Sequence, residues 1–117
     1  MCVYEKDDDD NFVEALNSIK LNKLFIDQTI IVINGYISKF KRNEIIKNSS
    51  ELKITLVELP INLGLSRALN IGLKKVNSDW IARFDSDDIC TSDRFKIMKE
   101  YINMVRISCT VEKILRL

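Results

Sequence analysis

The densest concentration of chemistry in this chain of 117 residues is Asp85-Ser86-Asp87-Asp88, three carboxylates in four positions after an apolar run. Carboxylates so close repel one another, and at a strand end they cannot all spread into solvent. A hard divalent cation shared among their oxygens relieves that repulsion. Magnesium or manganese held this way keeps positions open for phosphate oxygens and neutralises charge on a departing diphosphate. The same residues also read as an acidic turn ahead of a helix, since short D-x-D patterns are common. An EF-hand starting at Asp85 fails, because its sixth position needs glycine and holds Cys90. An aspartate-nucleophile phosphotransferase also sets D-x-D after an apolar strand, there usually the opening one, here the fourth.

The elements that must position this cluster are legible as alternating periods. Cys2-Val3-Tyr4 reads as the tail of a strand, and the acidic run Asp7 to Asp10 as the cap of a helix. Phe12, Ala15, Leu16 and Ile19 follow at helical spacing. Thr29 to Ile33 is continuously apolar and β-branched, as a strand covered on both faces should be, and Asn34-Gly35 ends it. A helix is expected from Lys39 to Lys47, with Phe40, Ile45 and Ile46 available for packing. Ile54 to Leu59 reads as a third strand stopped by Pro60. Ala68, Leu69, Gly72, Leu73 and Val76 keep helical spacing from Leu65. Trp80 to Phe84 reads as a fourth strand, and Thr91-Ser92-Asp93 as the cap of a last helix carrying Phe95, Met98 and Ile102. This order predicts a parallel, doubly wound α/β sheet, with ligands gathered beyond the carboxyl ends of its strands. Tyr4, Asn34 with Gly35, the segment after Pro60 and the cluster at Asp85 all stand at such ends.

Composition narrows the function further. Eighteen basic and seventeen acidic residues leave a net charge of +1, which argues against a nucleic-acid-binding surface. The chain has no histidine, which removes Ser-His-Asp and Cys-His chemistry and most zinc sites. Cys2, Cys90 and Cys109 are odd in number and form no C-x-x-C pair, so reduced thiols in a cytoplasmic protein are expected. No signal-like start is visible, and no apolar run approaches the roughly 20 residues that span a bilayer. Any membrane contact would then be peripheral.

In order and spacing, Asn62-Leu63-Gly64-Leu65-Ser66-Arg67-Ala68-Leu69-Asn70-Ile71-Gly72-Leu73, Asp79 to Ile89 and Asp93-Arg94-Phe95 resemble family 2 glycosyltransferases. The family wording is N-x-G-x-s-x-A-x-N-x-G, an apolar strand, D-x-D-D, and a P-D-R-like helix start. Val3-Tyr4 resembles its opening V-Y, and Val13 to Ile19 its first helix. The resemblance implies a GT-A fold, a Rossmann-like, mostly parallel sheet flanked by helices, here truncated. It implies a nucleotide-diphosphate sugar, often with uridine as the base, and a glycan or lipid-linked acceptor in polysaccharide or lipopolysaccharide assembly. Asp85 and Asp87 match the D-x-D that contacts ribose and diphosphate-bound Mn2+ or Mg2+, with Asp88 as a neighbouring ligand. Val3, Tyr4, Asn34, Arg67 and Ser86 fall at nucleotide-sugar-binding positions. An Arg at position 67 is chemically suited to phosphate or base oxygens, although a solvated charge on a helix face is the alternative.

Two departures are visible. Where the family usually has Asp after the second strand, this chain has Asn34, whose amide can still accept from and donate to a pyrimidine. The resemblance fades after Ile102, so a donor-binding unit is expected over residues 1–102 and a divergent tail over 103–117. No general base can be named within the matched region, and the expectation is binding with little transfer. The rival expectation is a non-catalytic binding module that meets a protein partner through Met104, Val105, Ile107, Val111, Ile114 and Leu115.

Overall fold

A computed structural model describes residues 1–108 and 114–115. Three parallel strands, β1 (Cys2–Val3), β2 (Thr29–Asn34) and β3 (Ile54–Leu59), form a sheet in the order β1-β2-β3. Val32 lies opposite Cys2 on one side and Val57 on the other. Met1 prolongs the first ladder by one residue, donating to the Ile30 carbonyl at 2.8 Å and accepting from the Val32 N–H. The continuous apolar run of β2 is explained by this central place. Ile31 and Ile33 are buried on one face with Phe12, Leu16 and Ile45, while Val32 is buried on the other with Val57, Leu59 and Ala68.

Helices α1 (Asp9–Lys20) and α2 (Lys39–Asn48) supply the first face, and α3 (Leu65–Leu73) the second. The architecture is therefore α/β with a Rossmann-like parallel sheet between helices. Asp8 caps α1, its carboxylate accepting from the Asn11 N–H at 2.9 Å, as the acidic run predicted. Helix α3 packs so closely on β2 that a Cβ on Gly72 would stand 2.8 Å from Val32 Cγ2. Bulk at position 72 would push the helix off the sheet. Helix α4 (Arg94–Ser108) closes the first face with Phe95 and Met98, and runs on beyond Ile102 into the segment expected as a separate tail. Cys109 and Val111 lie outside the described residues.

Two expectations are corrected. The fourth strand is shorter than Trp80 to Phe84, since β4 spans only Ile81–Ala82 and pairs in parallel with β5 (Ile114–Leu115). Among the described residues it does not join the three-stranded sheet. An open groove of ≈ 530 Å³ is lined by Met1 and Ile30 of the sheet region together with Ile81, Ala82, Phe95 and Met98. In α2, Phe40 and Ile46 are exposed and only Ile45 of the expected trio is buried.

The side chain turned inward beside Ile45 is that of Lys41, only 3% exposed. Its Nζ lies 2.8 Å from Asp9 Oδ1 and donates to the Glu5 carbonyl at 3.3 Å. A buried ammonium needs such partners, and it ties α2 to the loop between β1 and α1. Removing only the anion leaves that charge uncompensated, whereas removing the cation leaves Asp9 half-exposed to water. Asp9→Ala should therefore lower unfolding stability by about 2 kcal/mol, and Lys41→Met by less than about 1 kcal/mol. Urea denaturation of both variants measures this, and equal losses would contradict the assignment.

Candidate functional site

The acidic cluster begins where β4 ends. Phe84 is buried in the core, while its neighbours Arg83 and Asp85 are partly exposed and paired with each other. The chain then turns back on itself. The Asp88 N–H donates to the Asp85 carbonyl at 3.1 Å, and the Asp85 N–H donates to Asp88 Oδ2 at 2.9 Å. This double closure brings carboxylate oxygens of Asp85, Asp87 and Asp88 within 4.8 Å of one another. Among the described residues no other set of His, Cys, Asp or Glu forms such a group. The Asp7 to Asp10 run does not, because Asp7 accepts from the Tyr4 N–H, Asp8 caps α1, and Asp9 serves Lys41. A cluster of hard carboxylate donors fits magnesium or manganese far better than a soft metal.

Behind the turn, Asn22 anchors the segment that follows. Fully buried after α1, its Nδ2 donates to the Ser18 and Thr91 carbonyls, both at 3.0 Å, and reaches Cys90 Sγ at 3.3 Å. Its Oδ1 accepts from the Phe95 N–H at 3.2 Å, at the start of α4. The Arg94 guanidinium lies over Phe84, 5.5 Å from the ring centroid, and holds the same junction from outside. Sequence reasoning passed over Asn22. A single amide between two helical segments carries no periodic signal, and all its partners but Ser18 lie some seventy residues away.

Asn34, at the carboxyl end of β2, is likewise buried. Its Oδ1 accepts from the Leu63 N–H at 2.9 Å, fixing the loop that leads into α3. Gly35, at φ +88°, lets that loop come close, and a Cβ there would lie 2.8 Å from the Asn62 nitrogen. Asn34 thus joins the end of β2 to the segment after Pro60, two of the strand-end positions expected to converge. Cys2 lies on β1, two residues before Tyr4. Burial pushes its thiol above the ordinary range; the negative charges of Asp7 and Asp85 push the same way, while the amino terminus and Asn34 pull it down.

The remaining predicted positions are less uniform. Val3 is fully buried, so any part it plays with a ligand falls to its main chain. Tyr4 is partly exposed just beyond it, and Ser86 is buried within the turn. Arg67 is exposed on the first turn of α3. The first-turn residues Leu65 and Ser66, with Asn70, instead share a groove of ≈ 370 Å³ with Arg83, a residue the sequence reading left unassigned. Arg83 Nη2 lies 3.3 Å from Asp85 Oδ1.

Comparison with known proteins completes the description. A family model described as "Glycosyl transferase family 2" matches residues 1–111. The chain is 32% identical over 100 residues to the amylovoran biosynthesis glycosyltransferase AmsE of Erwinia amylovora, covering 86% of this chain and 38% of that protein. It is 34% identical over 102 residues to the UDP-Gal:alpha-D-GlcNAc-diphosphoundecaprenol beta-1,3-galactosyltransferase of Escherichia coli, covering 87% and 37%. An uncharacterized glycosyltransferase of Haemophilus influenzae is 32% identical over 102 residues, covering 87% and 38%. The chain thus spans under two-fifths of the length of these curated relatives. No solved structure matches it.

Two measurements check the packing around the site. Asn22→Ala strands the Phe95 N–H and two carbonyls, so it should cost about 2–3 kcal/mol in thermal or urea unfolding. A loss within about 0.5 kcal/mol would mean that Asn22 is not the anchor. The Cys2 thiol, with its raised pKa, should reach half-maximal alkylation by iodoacetamide at a higher pH than free cysteine. The shift follows because burial favours the neutral thiol, and deprotonation must await higher pH. Midpoints equal to that of free cysteine would count against the buried setting.

Proposed function

The chain belongs to glycosyltransferase family 2, and from that premise we propose that it binds the nucleotide-diphosphate sugar donor of a transfer to a glycan or lipid-linked acceptor. The observation that carries the reading is the gathering of the Asp85, Asp87 and Asp88 carboxylates within 4.8 Å in one turn. On this reading these three residues would hold Mn2+ or Mg2+, which when bound supplies positive charge to the diphosphate leaving group. Arg67 and the uncapped first turn of α3 offer a guanidinium and free N–H groups to phosphate oxygens. Tyr4 would lie against the base. Asn34 would act there by orienting the Asn62–Gly64 loop, through the bond from the Leu63 N–H to its side chain.

The donor is proposed as a uridine diphosphate sugar and the acceptor as lipid-linked, by similarity to the Escherichia coli relative whose name states both. The reading assigns no general base within residues 1–117, and it expects donor binding with little transfer by these residues alone. No helix among the described residues is long and apolar enough to cross a membrane. The free thiols of Cys2 and Cys90 fit a reducing compartment, and a cytoplasmic setting belongs to the proposal.

Calorimetric titration with uridine diphosphate, in the presence and absence of manganese, tests the reading. Wild type should bind the nucleotide in a manganese-dependent manner, and Asp87→Ala should weaken that binding at least about tenfold, in line with loss of a metal ligand. Manganese-independent binding, or an unaffected Asp87→Ala variant, would refute it.

A further inference from the structure

The acidic turn already has a cation of its own. Arg83 stands two residues before Asp85, and its guanidinium pairs with Asp85 Oδ1 at 3.3 Å. Its side chain is 39% exposed and that of Asp85 is 50% exposed, so the pair is accessible to a competing ion. The guanidinium is not fully used: its Nε is buried without a hydrogen-bond partner among the described residues. Arg83 also lines the groove it shares with Leu65, Ser66 and Asn70, at the first turns of α3.

We propose that Arg83 is a resident counter-cation of the cluster, which a divalent ion must displace from Asp85 and which then engages the donor's diphosphate. The inference rests on the donor-site reading and adds to it an order of dependence between the two ligands. Without nucleotide, metal binding has to break the Arg83–Asp85 pair and leave a guanidinium facing a dication. With nucleotide, the displaced guanidinium gains charge-assisted hydrogen bonds to phosphate oxygens. Metal and nucleoside diphosphate should therefore strengthen each other's binding by more than direct metal–phosphate coordination provides. By thermodynamic linkage the enhancement is the same whichever is added first.

The test measures manganese affinity of the full 117-residue chain calorimetrically, with and without saturating uridine diphosphate, for wild type, Arg83→Gln and Arg83→Lys. Arg83→Gln should bind manganese alone about three- to fivefold more tightly, the size expected from removing an exposed ion pair. Its enhancement by uridine diphosphate should fall about tenfold, within the usual range of coupling between sites. Arg83→Lys keeps a competing charge, so its affinity for manganese alone should stay near wild type. Unchanged or weaker manganese binding in Arg83→Gln would overturn the proposal, as would Gln and Lys variants that behave alike. If wild type itself binds neither manganese nor uridine diphosphate, the donor-site reading fails, a result distinct from failure of the role given to Arg83.

Discussion

Three carboxylates held within 4.8 Å of one another are the constraint around which this end of the molecule is arranged. At such separations each pair of charges repels by about 1 kcal/mol in water, and by several times that where the local dielectric is lower. A free chain would relax the strain by rotating or unwinding the turn. Here the turn cannot unwind cheaply, because Phe84 is buried on one side of it and Cys90 on the other. The two hydrogen bonds between Asp85 and Asp88 close it from within. Compensation has to come from positive charge brought to the turn, and the nearby guanidinium of Arg83 is a partial supply of it.

The same logic of buried polar bolts recurs through the molecule. Asn22 fastens the segment after the cluster to α1, Asn34 fastens the loop before α3 to β2, and Lys41 fastens the first loop to α2. Each is buried, and each makes at least one hydrogen bond to main chain of another segment. A buried polar group without partners costs on the order of 1–3 kcal/mol, so these bonds penalise any arrangement in which the loops drift. Loops over a parallel sheet have no ladder to hold them, and here side-chain amides and an ammonium take over that task.

Family membership and site geometry bear on different parts of the account. The match over residues 1–111 states what kind of protein this is. The geometry says what each residue can do. Asn34 illustrates the difference: it stands at a position the resemblance assigns to nucleotide binding, yet its Oδ1 is occupied by the Leu63 N–H. Its influence on a ligand would then run through the loop it holds. A motif preserves positions, while hydrogen bonds decide whether a side chain is free to face a ligand.

Much was legible from residue order alone, for physical reasons that act locally. The β-branched run of β2, the Asp8 cap, the stop at Pro60 and the spacing of Phe12, Ala15, Leu16 and Ile19 are governed by backbone sterics and by neighbours within a turn or two. The acidic cluster was equally plain, because its members are adjacent in the chain. What the sequence left open was decided by contacts between residues far apart in it. The Thr91 and Phe95 partners of Asn22 lie about seventy positions away. The inward turn of Lys41, in place of Phe40 or Ile46, depends on Asp9 and Glu5 arriving from another loop. That β4 paired with β5 and not with the main sheet was likewise decided by segments far apart in the chain. Short-range periodicity therefore specified the elements and the charge cluster, and tertiary packing chose which polar groups face one another, since burial is settled only once separate segments meet.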